Sequence, residues 1–383
     1  MASKVKVTRH SPKPEATPEE IGCSCSSACC CGGNPEVASE TELKAQYITG
    51  SVQTPVVSVP QVSTNLAMKD IAGIWKVRWG IGRMSYTVEP GLYCIGNPDE
   101  NSPVLVTANY KLSFDKLRKK LSGLSVWLLV LDTKGVNVWC AAGKGTFGTD
   151  ELVRRIETVR LSNVVKHRAI ILPQLGATGV AADEVAKRSG FHVIYGPVRA
   201  SDVKAFLEAG MKATPEMRMV NFTLLDRLVL TPVELVGAIK PLIFLFGVLF
   251  ILNAIGFSKF GLTELVAFIG AVVTGCIITP ILLPWIPGRA FSFKGALLGL
   301  LWTVIIIFLN RWLPQFGYLK AASYLLLLPT VSAYLAMNFT GCSTYTSPSG
   351  VNKEMRIAIP IMMGSSLLGI ICLLADSIIK AFH

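Results

Sequence analysis

Histidine is scarce in this 383-residue chain: His10, His167, His192 and His383 stand at no metal-ligand spacing, which argues against a histidine-built zinc centre. Charge is scarce as well. Charged residues make up 16% of the chain against 51% hydrophobic ones, and the mean hydropathy of +0.48 is too apolar for an ordinary soluble protein. The ten cysteines include no Cys-x-x-Cys pair, so zinc-ribbon and ferredoxin patterns are absent. The first 22 residues carry Lys4, Lys6, Arg9 and Lys13 among prolines and have no apolar core, so no signal peptide is expected. The globular part should therefore sit in a reducing compartment, with its cysteines serving as thiols or ligands rather than disulfides. The net charge of +12 comes from scattered residues. A basic face beside anionic lipid accounts for it, and no nucleic-acid partner is expected.

The apolar excess lies in the C-terminal part. From Pro232 onward five apolar runs, near 236–257, 263–284, 294–313, 320–339 and 358–381, each approach the ~20 residues that cross a bilayer core. Placing the N-terminal part in the cytoplasm puts Arg218, Arg227, Arg289, Lys294, Lys353 and Arg356 inside, against Lys259, Arg311, Lys320 and Lys380 outside. That bias predicts a multi-pass protein of the cytoplasmic (inner) membrane with its globular domain in the cytoplasm. Lys240, Lys380, Glu234, Glu264 and Asp376 fall near span ends, and no intramembrane relay or repeat is visible.

Residues 1–64 are rich in Pro, Ser, Thr and Glu without sustained periodicity and read as a disordered arm. Residues 65–230 alternate strand and helix patterns. Strands are expected at 104–107, 125–131, 168–172 and 191–195, with helices at 113–121, 150–161, 181–189 and 201–210. That rhythm predicts an α/β domain of the doubly wound, Rossmann-like kind with a mainly parallel sheet, followed by an all-α membrane domain over 231–383.

Three small-residue turns then follow strands: 137–148, 174–179 and 196–201. Ligands of open α/β sheets sit beyond such strand ends. In the first turn, GVNVWCAAGKGTFG at 135–148, one thiol stands among residues with almost no side chain. A flat ligand could lie against this backbone with Cys140 reaching toward its centre. A lone cysteine is more often a small hydrophobe, and turns are rich in Gly and Ala in any case. Cys23, Cys25, Cys29, Cys30 and Cys31 put five thiols on the arm, a density suited to capturing a thiophilic ion such as Zn(II), Cu(I) or Hg(II).

The run 135–148 resembles the cobalamin cap segment of the HgcA family of mercury-methylating corrinoid proteins, kin to the corrinoid subunit of the acetyl-CoA pathway's corrinoid iron-sulfur protein. Segments 106–110, 173–179 and 195–199 resemble that family's other ligand-facing stretches, so the likeness covers about residue 65 to the C-terminus. It implies a corrinoid (cobalamin-type) cofactor with the Cys140 thiolate as lower axial cobalt ligand. It further implies contacts from Thr107, Asn109, Asn137, Val138, Trp139, Ala141, Ala142, Gly143, Lys144, Gly145, Thr146, Gly176, Ala177, Gly179, Gly196, Pro197 and Val198. The implied activity is methyl transfer from cobalt to inorganic Hg(II), giving methylmercury, with a tetrahydrofolate-pathway methyl donor and a ferredoxin-like [4Fe-4S] protein as reductant. A methyl carrier of acetyl-CoA synthesis and a transporter or sensor are the rival readings.

Overall fold

In a computed structural model, residues 47–255, 261–309, 317–343, 345–346 and 348–382 are described. The strands are β1 (Ile48–Gln53), β2 (Ser58–Val62), β3 (Gly91–Ile95), β4 (Val104–Ala108), β5 (Val126–Leu131), β6 (Ala169–Leu172) and β7 (His192–Tyr195). They form one sheet in the order β1-β2-β3-β5-β4-β6-β7. β5 is its axis because every side chain of VWLLVL is buried. Alternate residues feed opposite faces. Trp127, Leu129 and Leu131 join Phe147, Leu152 and Phe191 in one core, while Val126, Leu128 and Val130 join Phe114 and Phe206 in the other.

The four strands expected from sequence are present, and β5, β4, β6 and β7 run parallel to one another. The expected mainly parallel sheet is there, since among the described strands four pairings, β2–β3 included, are parallel, but its other half adds two antiparallel pairings that the sequence did not announce. β3 is antiparallel to β5, and β1 pairs antiparallel with β2, so the sheet is mixed. Order also begins earlier than Asn65, because β1 and β2 fall in the stretch read as a disordered arm. As an edge strand β1 is largely exposed and shows no apolar alternation to betray it. The arm cysteines Cys23, Cys25, Cys29, Cys30 and Cys31 lie outside the described residues.

Helices α1 (Met68–Arg78), α2 (Lys111–Lys120), α3 (Val138–Gly143), α4 (Thr149–Thr158), α5 (Ala182–Ser189) and α6 (Val203–Glu208) connect the strands. α1 and α2 are joined by a buried four-charge cluster that no sequence pattern announces. Lys111 Nζ bonds Asp70 at 2.6 Å and Asp115 at 2.7 Å, and Arg118 bonds both carboxylates at 2.7 Å. Arg118 also donates to the carbonyls of Ser63 and Asn65, tying the end of the β1–β2 hairpin to the same cluster.

Among the described residues, five helices are long and apolar enough to cross a membrane. They are α7 (Thr231–Ala254); α8 (Leu262–Val273), continued through a π-helical turn to Leu282; α9 (Phe291–Leu309); α10 (Tyr318–Asn338); and α11 (Pro348–Phe382). Their starts precede the expected ones, α11 by ten residues, because polar first turns such as 348–354 carry no hydrophobic signal. Small residues let the helices approach closely. A Cβ at Gly295 would meet Ala336 Cβ at 2.5 Å, and one at Gly275 would meet the Ser332 carbonyl at 2.8 Å. Glu264, read as a span-end residue, and Lys320, read as an outer one, form a buried 2.6 Å ion pair between α8 and α10. Lys259 and Arg311 lie outside the described residues.

Burial works to raise the Asp70 carboxyl, but Lys111, the Ala67 N–H and Arg118 together hold it below the ordinary aspartate range. A depressed carboxyl adds stability that is present above its unfolded pKa of ~3.9 and is lost as pH falls through the folded value. Asp70→Ala should destabilise the α/β domain by about 3–5 kcal/mol, since it leaves two buried cations to share Asp115. Thermal melts followed by near-UV circular dichroism check this. Asp70→Asn should also flatten the acid limb of stability below pH ~4.

Candidate functional site

Beyond Leu131 the chain turns sharply before α3, and Asn109, from the end of neighbouring β4, fixes that turn. Its buried Oδ1 accepts from Thr133 N (3.1 Å), Thr133 Oγ1 (2.8 Å) and Gly135 N (3.1 Å). The Val136 carbonyl, 2.6 Å from Thr133 Oγ1, shares that single hydroxyl proton with Asn109. Gly135 has φ +70°, and a Cβ there would lie 2.9 Å from Thr87 and 3.0 Å from the Met84 carbonyl, so the position requires glycine. Asn109 therefore positions the loop. The Asp132 carboxylate, which burial would raise, is held low by Lys134 and accepts from the Lys134 N–H at 3.1 Å.

α3 is a short helix where the sequence suggested only a turn. Asn137 is its N-cap, with Oδ1 accepting from Cys140 N at 2.9 Å, the local bond that Asn supplies at helix starts. Ala141 and Ala142 point into the core, whereas Trp139 is 36% exposed and Cys140 is half-buried. Gly143, Lys144 and Gly145 are exposed, and a Cβ on Gly143 would meet nothing within 4 Å. Cys140 and Gly143, three residues apart on the helix, thus share an open face. Cys94, by contrast, is fully buried under β2, and burial pushes its thiol up to about 11. Such a thiol is inert.

The other two turns meet α3 at one junction. Gln174–Gly176 forms a 3-10 turn, Gln174 N donates to the Pro197 carbonyl at 3.4 Å, and Gly196 N donates to Leu172 at 2.7 Å. The glycines here serve close packing. A Cβ at Gly179 would lie 2.1 Å from the Phe147 carbonyl and 3.0 Å from Ala142 Cα, and one at Gly176 would enter the Phe147 ring at 2.5 Å. One polar atom at the junction is left over: Gln174 Oε1 is buried and has no hydrogen-bond partner among the described residues.

A cavity of about 680 Å³ opens beyond β4, β6 and β7. Of the residues expected to bind a ligand, Thr107, Asn137, Val138, Trp139, Gly196, Pro197 and Val198 line it. Asn109, Cys140, Ala141, Ala142, Gly143, Lys144, Gly145, Thr146, Gly176, Ala177 and Gly179 do not. α3 therefore has two sides, with Val138 and Trp139 on the cavity and Cys140 off it. Sequence reasoning missed the cavity's basic wall of Arg78, Arg83, Lys116 and Arg199, and its floor of Val229, Leu230 and Val233. These come from distant segments that share no local motif. Arg199 pairs with Asp226 at 2.9 Å. Burial would raise that carboxyl, and hydrogen bonds from Thr223 with the charge of Arg199 hold it low. Among the described residues, no three of His, Cys, Asp and Glu cluster as metal ligands.

Residues 81–207 match the family described as CO dehydrogenase/acetyl-CoA synthase delta subunit. The acetyl-CoA decarbonylase/synthase complex subunit gamma of Methanopyrus kandleri is 37% identical over 123 residues, 32% of this chain and 26% of that relative. The corrinoid/iron-sulfur protein large subunit of Moorella thermoacetica is 35% identical over 126 residues, 32% of this chain and 28% of that relative. The chain thus spans about a quarter of the length of the curated relatives it matches. The matched region holds α3 and both partner turns and ends before α7. This α/β region is a domain related to the corrinoid/iron-sulfur protein large subunit.

Gly179→Ala should destabilise the junction by about 1–3 kcal/mol, because backbone must move to admit the methyl group. Gly143→Ala should leave stability unchanged or slightly raised. Melting temperatures of the two variants, measured side by side, check the contrast.

Proposed function

We propose that this chain is a membrane-anchored, corrinoid-dependent methyltransferase whose acceptor is inorganic Hg(II) and whose product is methylmercury. The observation that carries the reading is α3, where Asn137 caps a helix that sets Cys140 beside Gly143 on an open face, within the region related to corrinoid proteins. The residues suit a corrinoid. Gly143 leaves room for a flat ring. A corrinoid, when bound, supplies a methyl group that can leave cobalt with its bonding electron pair, the form an Hg(II) cation accepts. Cys140 would ligate the metal through sulfur, a soft donor that pushes charge onto it as axial thiolates do in haem proteins. Asn137 and Asn109 hold that sulfur's helix in place. Cys23, Cys25, Cys29, Cys30 and Cys31 would capture Hg(II) and raise its local concentration through their tether. A tetrahydrofolate-pathway methyl donor and a ferredoxin-like [4Fe-4S] reductant would complete the cycle, with the α/β domain in the cytoplasm.

A second reading, a membrane-anchored methyl carrier of acetyl-CoA synthesis, is favoured by what the relatives do as named. Cys140 and the membrane helices are the features it leaves unused.

The full chain purified anaerobically should show corrinoid absorption bands; their absence would leave the transporter or sensor reading. Cys140→Ala should keep those bands while methylmercury formation falls by more than the ~10–100-fold that loss of a supporting group costs a metal centre. Near-normal methylation by Cys140→Ala or Cys140→Thr would rule out axial thiolate chemistry. Gly143→Val should lose the bands altogether, because a branched side chain would stand where the ring needs clearance.

A further inference from the structure

Helix α1 has a packed face and an exposed apolar one. Asp70 and Val77 turn inward, with Gly73 packed against the Tyr86 ring. On the opposite side Met68 (79% exposed), Ile71, Trp75 (58%) and, just past the helix, Trp79 recur at three- and four-residue spacing as one outward stripe. Ile81 and Met84 extend it, at 62% and 71% exposure. Exposed Lys69 and Lys76 border the stripe. A protein surrounded only by water does not keep two tryptophans, two methionines and two isoleucines together on its surface without a use for them.

The position of the stripe says what covers it. Arg78 Nη1 donates to the Val229 carbonyl at 3.3 Å, and a Cβ on Gly80 would lie 3.5 Å from Val236 of α7, the first membrane-length helix. Leu224, Leu225 and Leu228, just before α7, are exposed as well. The outward stripe therefore continues the surface from which α7 departs. Tryptophan belongs at the level of lipid headgroups, and basic residues beside it suit anionic ones.

We propose that α1 with residues 79–84 is an in-plane foot, seated in the headgroup layer of the membrane that α7 enters, on a leaflet carrying anionic lipid. The proposal rests on α7 being a membrane span. Seating the stripe fixes the tilt of the α/β domain. Since Val77, Arg78 and Arg83 also line the large cavity, it sets one cavity wall beside the headgroups.

The test uses the full chain in lipid nanodiscs containing phosphatidylglycerol, compared with the Trp75→Phe/Trp79→Phe double variant, whose exposed substitutions leave the fold intact. The parent-minus-variant fluorescence isolates these two tryptophans. An interfacial helix sits ~5–10 Å into the headgroup boundary, so brominated acyl chains should remove about half of that emission or more while aqueous acrylamide quenches it weakly. Strong acrylamide quenching without bromine quenching would overturn the foot. So would protection from both, which means that protein covers the stripe. Alkaline carbonate extraction of the native membranes reports the spans separately. A chain released by carbonate defeats the span reading of α7, whereas a retained chain with unquenched Trp75 and Trp79 defeats the foot alone.

Discussion

The arrangement of the site depends on one carboxamide oxygen. Asn109 Oδ1 accepts from the Thr133 and Gly135 N–H groups of the loop that follows β5 and shares the Thr133 hydroxyl proton with the Val136 carbonyl, and with Gly135 held in a conformation other residues avoid, it fixes where α3 begins. Leaving such a buried group unsatisfied costs about 1–3 kcal/mol, and here two backbone donors would lose their acceptor together. Asn137 then caps the helix, and the direction of the Cys140 residue follows from the two asparagines. Both were expected to touch a ligand. Asn137 does line the cavity, but the bonds that both make hold the chain itself in shape.

Much of the domain was legible because β4 to β7 are buried on one or both sides and their apolar runs stand out. β1 and β3 were not: the first is a mostly exposed edge, and the second is a five-residue strand amid turn residues. The three turns were found by their glycines, yet for reasons that only packing reveals. Gly176 and Gly179 allow Phe147 and α3 to come close, while Gly143 and Gly145 open onto free space. The cluster of Asp70, Lys111, Asp115 and Arg118 joins three segments through charges that a one-dimensional pattern reads as solvated. The Glu264–Lys320 pair escaped notice for the same reason.

The two sides of α3 give the proposed chemistry its shape. Val138 and Trp139 face a cavity with a basic wall, and Cys140 stands on the other side, off that cavity. A ligand with both a flat face and a pendant anionic group could engage both sides, and corrinoids that carry a nucleotide tail have both. The floor of the same cavity is made by the residues that lead into α7, so the α/β domain and the membrane-length helices share that floor rather than being joined by a free linker.

Cobalt K-edge X-ray absorption on the anaerobically purified chain tests the central claim most directly. The account predicts a sulfur scatterer in the cobalt shell of the parent that disappears in Cys140→Ser while the corrinoid remains bound. A shell of nitrogen and oxygen only in the parent, or a sulfur that persists in the variant, would contradict it.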